Sequence, residues 1–178
     1  MIETERLRVR SVVETDVDSI FALFSDPRVA RWSGDGQAMT SRDEAVARVE
    51  RYATRGGAQS WAGVFVIETP AGEFAWITML VPLPASAGFD RDDFEIGWHL
   101  LPSMWGHGYA TESAAAMAAR GFDAGLTEVF AVTAPDNGPS QAVCARLAMT
   151  DLGLRDDWYD ARLRAFRLTR QGRVSATS

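Results

Sequence analysis

Cysteine and histidine are scarce in this chain of 178 residues. The single cysteine, Cys144, rules out an internal disulfide, and the two histidines stand far from any Cys-x-x-Cys spacing, so no metal cluster is proposed. Long apolar runs are missing as well: nothing approaches the roughly 18 residues that cross a bilayer, and the opening Met1-Ile2-Glu3-Thr4-Glu5-Arg6 is charged where a secretory leader would be apolar. A cytoplasmic protein with no membrane partner is expected. Basic residues are outnumbered, 18 against 24 acidic, for a net charge of -6, which excludes the broad phosphate-neutralising surface of a nucleic-acid binder. There is no Gly-Lys-Ser/Thr, hence no P-loop, and no Gly-x-Gly-x-x-Gly frame after an early strand, which weighs against a dinucleotide oxidoreductase.

The composition that remains, 47% apolar and 24% charged, is that of an ordinary folded protein. Repeats, low-complexity segments and linkers are absent, so residues 1–170 are read as one domain and the polar stretch 171–178 as a disordered tail. Leu7, Val9 and Ser11 alternate with Arg6, Arg8 and Arg10, the period-two pattern of a half-buried strand. Thr15 with Asp18 reads as an N-cap pair for a helix carrying Val17, Ile20, Phe21 and Phe24 on one face and ending near Asp26-Pro27. Ser41-Arg42-Asp43-Glu44 is a capping box that starts a helix stopped by Gly56-Gly57. The segments 60–68 and 73–81 read as a hairpin, 82–92 as a loop, 94–100 as a strand with Gly97 at its middle, 109–124 as a helix and 128–133 as a strand. A turn at 135–139, a helix at 140–147 and strands around Trp158 and Phe166 complete an α+β, or mixed α/β, domain.

Chemistry concentrates between the strand at 94–100 and the helix that follows. Trp105-Gly106-His107-Gly108-Tyr109-Ala110-Thr111-Glu112 joins the two through a pair of glycines, so main-chain N–H groups can converge without side-chain obstruction. The unpaired first amides of a helix, with the positive end of its dipole, suit an anion such as pyrophosphate even without a lysine. A Gly-x-Gly alone fits a plain tight turn equally well.

Four segments in order go beyond that. Thr4-Glu5-Arg6-Leu7-Arg8-Val9-Arg10, Glu95-Ile96-Gly97-Trp98, the Trp105 to Glu112 turn, and Asn137-Gly138-Pro139-Ser140 with Val143 and Leu147 resemble the GCN5-related N-acetyltransferases (GNAT), more narrowly their RimJ/RimL-like, ribosomal-protein-alanine branch. The resemblance implies a mixed sheet whose two central parallel strands splay apart around acyl-CoA, with Gly97 serving the splay. It implies that main-chain groups of Trp98, His99 and Leu100 pair with the pantetheine arm, that Trp105, Gly106, His107, Gly108, Tyr109, Ala110 and Thr111 form the pyrophosphate turn, and that Asn137 bonds the pantetheine arm. The implied reaction moves an acetyl group from acetyl-CoA to a primary amine, a protein N-terminus or a small amine, by direct attack in a ternary complex. Acetyl-CoA, or another acyl-CoA, and an amine acceptor are the expected partners; a homodimer is left open. The alternative is an acyl-CoA-binding regulatory module without turnover, separable by release of free CoA thiol.

Two departures from the family pattern matter. The tyrosine many members place seven residues after the motif asparagine is here Cys144, so that proton donor is missing, and Ala148 stands where the motif puts glycine. Glu95 is the candidate base, against a solvent-facing strand residue; Ser140 is the candidate acid for the thiolate, against a helix-start serine bonding its own backbone. A main-chain N–H near Trp98 or His99 would polarise the thioester carbonyl. His99 reads as a core histidine, Cys144 as a small core residue rather than a nucleophile, and Trp32, Tyr52, Trp76 and Trp158 as core more readily than acceptor pocket. Asp157 and Asp160 read as polar turn residues before they read as a cation site.

Overall fold

Local chemistry sets the element boundaries. In the computed structural model, which describes residues 2–69 and 71–170, Glu44 accepts from the main-chain N–H groups of Thr40 and Ser41, each at 3.1 Å, and this capping box starts helix α3 at Arg42–Thr54. The expected tail at 171–178 lies outside the described residues. The first long helix, α1 (Val17–Ser25), departs from expectation. A 3₁₀ turn at Glu14–Asp16 precedes it, and Asp16 rather than Thr15 does the capping, accepting from Val13 N–H at 2.8 Å. Asp16 is buried and takes both Nη groups of Arg10 at 2.7 Å, whereas Asp18 faces outward and pairs with Arg42. A short helix, α2, follows at Pro27–Ala30.

The strands are β1 (Ile2–Glu3), β2 (Arg8–Ser11), β3 (Gly63–Glu68), β4 (Phe74–Leu83), β5 (Asp93–Leu100), β6 (Glu128–Thr133), β7 (Thr150–Arg155) and β8 (Leu163–Thr169). They form one mixed sheet in the order β1-β2-β3-β4-β5-β6-β8-β7. Strand β4 runs through Pro82, read above as loop. Pairing with β3 ends at Leu80, so at Pro82 the strand has β5 alone as neighbour and the missing N–H is tolerated. The strand expected around Trp158 lies earlier, at Thr150–Arg155. Tyr159 and Asp160 adopt φ 60 and 49, which no strand accommodates, and Trp158 makes only an isolated bridge to Ala85.

Helix α4 (Tyr109–Asp123) supplies the crossover that parallel β5 and β6 require. Its Ala114, Met117, Ala118 and Phe122 are buried on one stripe against Trp76, Leu80 and Ile96. On the opposite face α1 and α3 cover Val64, Ile77 and Val81. Burying each large side chain of this kind contributes roughly 1.5–3 kcal/mol, so both faces hold the sheet. Helix α5 (Gly138–Arg146) buries Val143 and Cys144. Among the described residues no helix is long and apolar enough to cross a membrane.

One relationship opens the sheet. Strands β5 and β6 share a single bridge, Glu95 with Phe130; beyond it, Ile96 to Leu100 and Ala131 to Thr133 diverge. The splay therefore starts at Glu95, and Gly97 has another reason for its identity: a Cβ there would sit 3.0 Å from Cγ of Met79, its partner on β4.

Candidate active site

Two glycines shape the end of β5. Gly106 and Gly108 have φ 81 and 78, left-handed values that suit glycine, and Gly108 is the N-cap of α4. The amides of Tyr109, Ala110 and Thr111 thus begin a 15-residue helix without intrahelical acceptors, at the positive end of its dipole. Trp105 folds back: its indole N–H donates to Leu100 O at 3.0 Å while the residue stays half exposed. The Tyr109 ring lies between those of Trp76 and His107, at 5.1 and 5.4 Å.

Two arginines complete this corner. Arg6 donates from Nε to Glu112 at 2.8 Å and from Nη1 to His107 O at 3.1 Å. Arg146, at the end of α5, donates from Nε to the Thr111 hydroxyl at 3.2 Å and has no carboxylate partner among the described residues, so its cation sits beside the first turn of α4. Neither contact was read from the sequence. Arg6 lies within the Thr4 to Arg10 segment that resembles the family, which is its signal in the sequence; Arg146 has none.

The open edge of β5 offers fewer groups than three consecutive residues would suggest. Peptide groups of a strand face alternate neighbours. Leu101 N–H goes to Ala75 O on β4, so the main-chain groups of Leu100 and Trp98 face the divergence, and those of His99, opposite Ile77, face β4. Leu100 O already accepts the Trp105 indole. The His99 ring packs on Phe24 at 5.2 Å under α1, and burial, with the charge of Arg48, pushes its pKa down to about 4, so it is neutral at physiological pH. His99 is a packed histidine on the α1 and α3 face.

Glu95 is buried at the point where the strands part. Its Oε1 accepts from the Tyr159 hydroxyl and, at 3.4 Å, from Arg55 Nη2, which also donates to the Tyr159 oxygen at 2.8 Å. Burial raises the pKa of the carboxyl, opposed by the bonds from Tyr159 and the charge of Arg55. Tyr159 and Arg55 were not anticipated, and no local pattern could have shown them, since the partners are 64 and 40 residues from Glu95. The segment that carries Tyr159 is pinned by Asp157, which is buried and pairs with Arg155 and Arg91, and by Asp160, which accepts from Ala87 N–H at 2.8 Å. Both aspartates are occupied within the fold.

At α5, Asn137 is the N-cap and its Oδ1 accepts from Ser140 N–H at 3.2 Å. Capping thus falls to Asn137, and the Ser140 hydroxyl takes no part in it. Cys144 is buried and its thiol is pushed up to about 12 by burial, which leaves it inert. Two concavities lie elsewhere. One of about 810 Å³ sits between the ends of β2 and β3 and helix α3, another of about 620 Å³ between the first residues and α4; neither is lined by the glycine turn, β5 or α5.

Comparisons with known proteins agree with this fold. Residues 6–150 match the acetyltransferase (GNAT) domain. An uncharacterized N-acetyltransferase of Bacillus subtilis (strain 168), YoaA, is 28% identical over 156 residues, 86% of this chain and 85% of the relative. The FsC-acetyl coenzyme A-N(2)-transacetylase of Aspergillus fumigatus is 30% identical over 168 residues, 89% of this chain and 68% of the relative. Among solved structures, RimL, the ribosomal L7/L12 alpha-N-protein acetyltransferase in complex with coenzyme A, superposes with a TM-score of 0.76 at 18% identity, over 95% of this chain and 97% of that one. A glycine turn at a helix start, a sheet that parts beside it and a match over most of the chain lead to one conclusion: the chain belongs to the GNAT family and is an acetyl-CoA-dependent N-acetyltransferase.

Proposed function

We propose that the chain acetylates a primary amine, a protein N-terminus or a small amine, by direct attack within a ternary complex, as in the RimJ/RimL-like branch. The observation that carries this reading is the single Glu95–Phe130 bridge: it leaves a cleft whose β5 edge offers the unpaired main-chain groups of Trp98 and whose far end is the start of α4. The amides of His107 to Thr111 receive the pyrophosphate, Arg146 adds a cation beside Thr111, and Trp98 pairs with the pantetheine arm. Asn137 lies at the start of α5 for a further bond to that arm.

Glu95 draws the proton from the acceptor, whose nitrogen attacks the thioester carbonyl while the Trp98 N–H takes up the developing oxyanion charge. The carbon–sulfur bond then breaks, and Ser140 protonates the departing thiolate and regains its proton, through water, from the attacking nitrogen, which loses its second proton as it becomes a neutral amide. Both classes of acceptor have support among similar proteins, whose names include an alpha-N-protein acetyltransferase and an aminoglycoside acetyltransferase. Mass spectrometry of products after incubation with acetyl-CoA and pooled peptides and small amines tests the proposal. An acetylated amine is the expected result; free CoA without an acetylated acceptor, or no reaction, is the contrary one.

A further inference from the structure

Glu95 as a base has an access problem. The residue is 7% exposed, and its Oε1 is taken by the Tyr159 hydroxyl and by Arg55. Tyr159 is 36% exposed, so of the two bonded residues it is the one that meets solvent. The phenol oxygen has two acceptor positions. Arg55 Nη2 fills one at 2.8 Å, which commits the phenol hydrogen to Glu95 and leaves one lone pair for a donor from outside.

The backbone is bent to put the phenol there. Tyr159 and Asp160 have φ 60 and 49, values that non-glycine side chains rarely adopt and that persist only where surrounding contacts enforce them. Here the enforcement is visible: Tyr159 N–H donates to Pro84 O at 3.0 Å, Asp160 N–H to Ser86 Oγ at 2.9 Å, and Ser86 N–H to Asp157 O at 2.8 Å. Four residues after β4 thereby hold a turn that aims one phenol at one carboxylate.

We propose that Tyr159 relays the acceptor's proton to Glu95, with Arg55 orienting the phenol; this rests on the reading of Glu95 as base. An N–H bond of the bound ammonium breaks as an O–H bond forms on the Tyr159 oxygen, while the original phenol O–H breaks and its proton bonds to Glu95 Oε1. A neutral amine, a neutral phenol and a carboxylic acid result, so atoms and charge balance. The titratable groups facing this point are Glu95 from β5, Arg55 from the end of α3 and Tyr159 itself.

The test compares wild type, Tyr159→Phe, Glu95→Gln and the double variant for thiol release from acetyl-CoA. A peptide with a free N-terminus and spermidine serve as acceptors, and acetyl-CoA affinity is measured by calorimetry. The relay requires Tyr159→Phe to lose about 10²-fold in kcat/KM with acetyl-CoA affinity unchanged, and the double variant to be no slower than the slower single, as for groups acting as one unit. Tyr159→3-fluorotyrosine keeps the size and the hydroxyl but lowers the phenol pKa, so it should shift the pH profile of kcat/KM; it decides the matter alone if Tyr159→Phe does not fold. Full activity of Tyr159→Phe, losses that multiply in the double variant, or an unmoved fluorotyrosine profile overturns the relay while Glu95 stands as base. An undiminished Glu95→Gln, or a wild type that releases no thiol with either acceptor, overturns the base reading and the relay together.

Discussion

Arg6 and Glu112 tie the first strands of the sheet to the first turn of α4. Arg6 Nε lies 2.8 Å from Glu112 Oε2, its main-chain N–H 3.0 Å from Oε1, and the Thr4 hydroxyl adds a bond at 2.6 Å. Partial burial alone would raise the pKa of Glu112, but the bonds from Thr4 and Arg6 outweigh it and hold the carboxyl below its ordinary value. A depressed folded pKa contributes stability above the unfolded value, about 4.3, that is lost as pH falls through the folded one. Glu112→Gln should therefore be less stable at pH 7, by about 1 kcal/mol, and the difference should close on acidification toward pH 3. Melting curves across that range check this; a gap independent of pH would refute it.

Glu95 has the opposite sign. Its folded pKa is raised, so ionisation costs stability as pH climbs from the unfolded value, about 4.3, through the folded one. Glu95→Gln should melt at or above the wild-type temperature near pH 8, with the advantage vanishing near pH 4, even as turnover falls. A variant less stable at pH 8 than at pH 4, relative to wild type, is the contrary outcome.

Gly108→Val puts a β-branched residue at φ 78 and a Cβ 3.6 Å from Arg6 Nη2. Acetyl-CoA binding should weaken at least tenfold, about 1.4 kcal/mol. Calorimetry measures it, with melting to show that the fold persists; equal affinity would mean that the amides of this turn do not hold the pyrophosphate.

Ser140→Ala should lower kcat by roughly 10²-fold with little change in acetyl-CoA affinity, because the cap of α5 is Asn137 and survives the change. Steady-state kinetics beside a binding isotherm separate the two effects. Near-normal turnover would leave the thiolate to be protonated by water.

Ala148 has φ 55 just past α5, with its N–H on Ala145 O and that of Met149 on Cys144 O, both at 3.0 Å. These are the bonds of a Schellman cap, whose left-handed position favours glycine. Ala148→Gly should stabilise the protein by about 0.5–1 kcal/mol, the relief of that conformation less the added unfolded-state entropy. A lowered melting temperature would contradict this.

The elements legible in advance were those specified by neighbours in the chain. The Ser41–Glu44 box opened α3, two glycines marked the start of α4, and 128–133 is the strand that its residues suggested, because caps, turns and alternating burial are decided within a few residues. Misreadings arose where a distant group intervened. Asp16 became the cap because Arg10 draws it inward, and Pro82 stayed in a strand because β3 ends short of it. Trp158 left its expected strand because the following turn is held by residues 84–87.

The site divides the same way. By itself the sequence determined where a glycine turn opens a helix, from Gly106 and Gly108, and which strand lies beside it, from Glu95 to Trp98. Tertiary structure alone decided that Glu95 stands at the last bridge before β6 turns away, with Tyr159 and Arg55 on its carboxylate and Arg146 on Thr111. Backbone conformation follows from adjacent residues, whereas the surroundings of a buried charge depend on which remote side chains the sheet order brings within hydrogen-bonding distance.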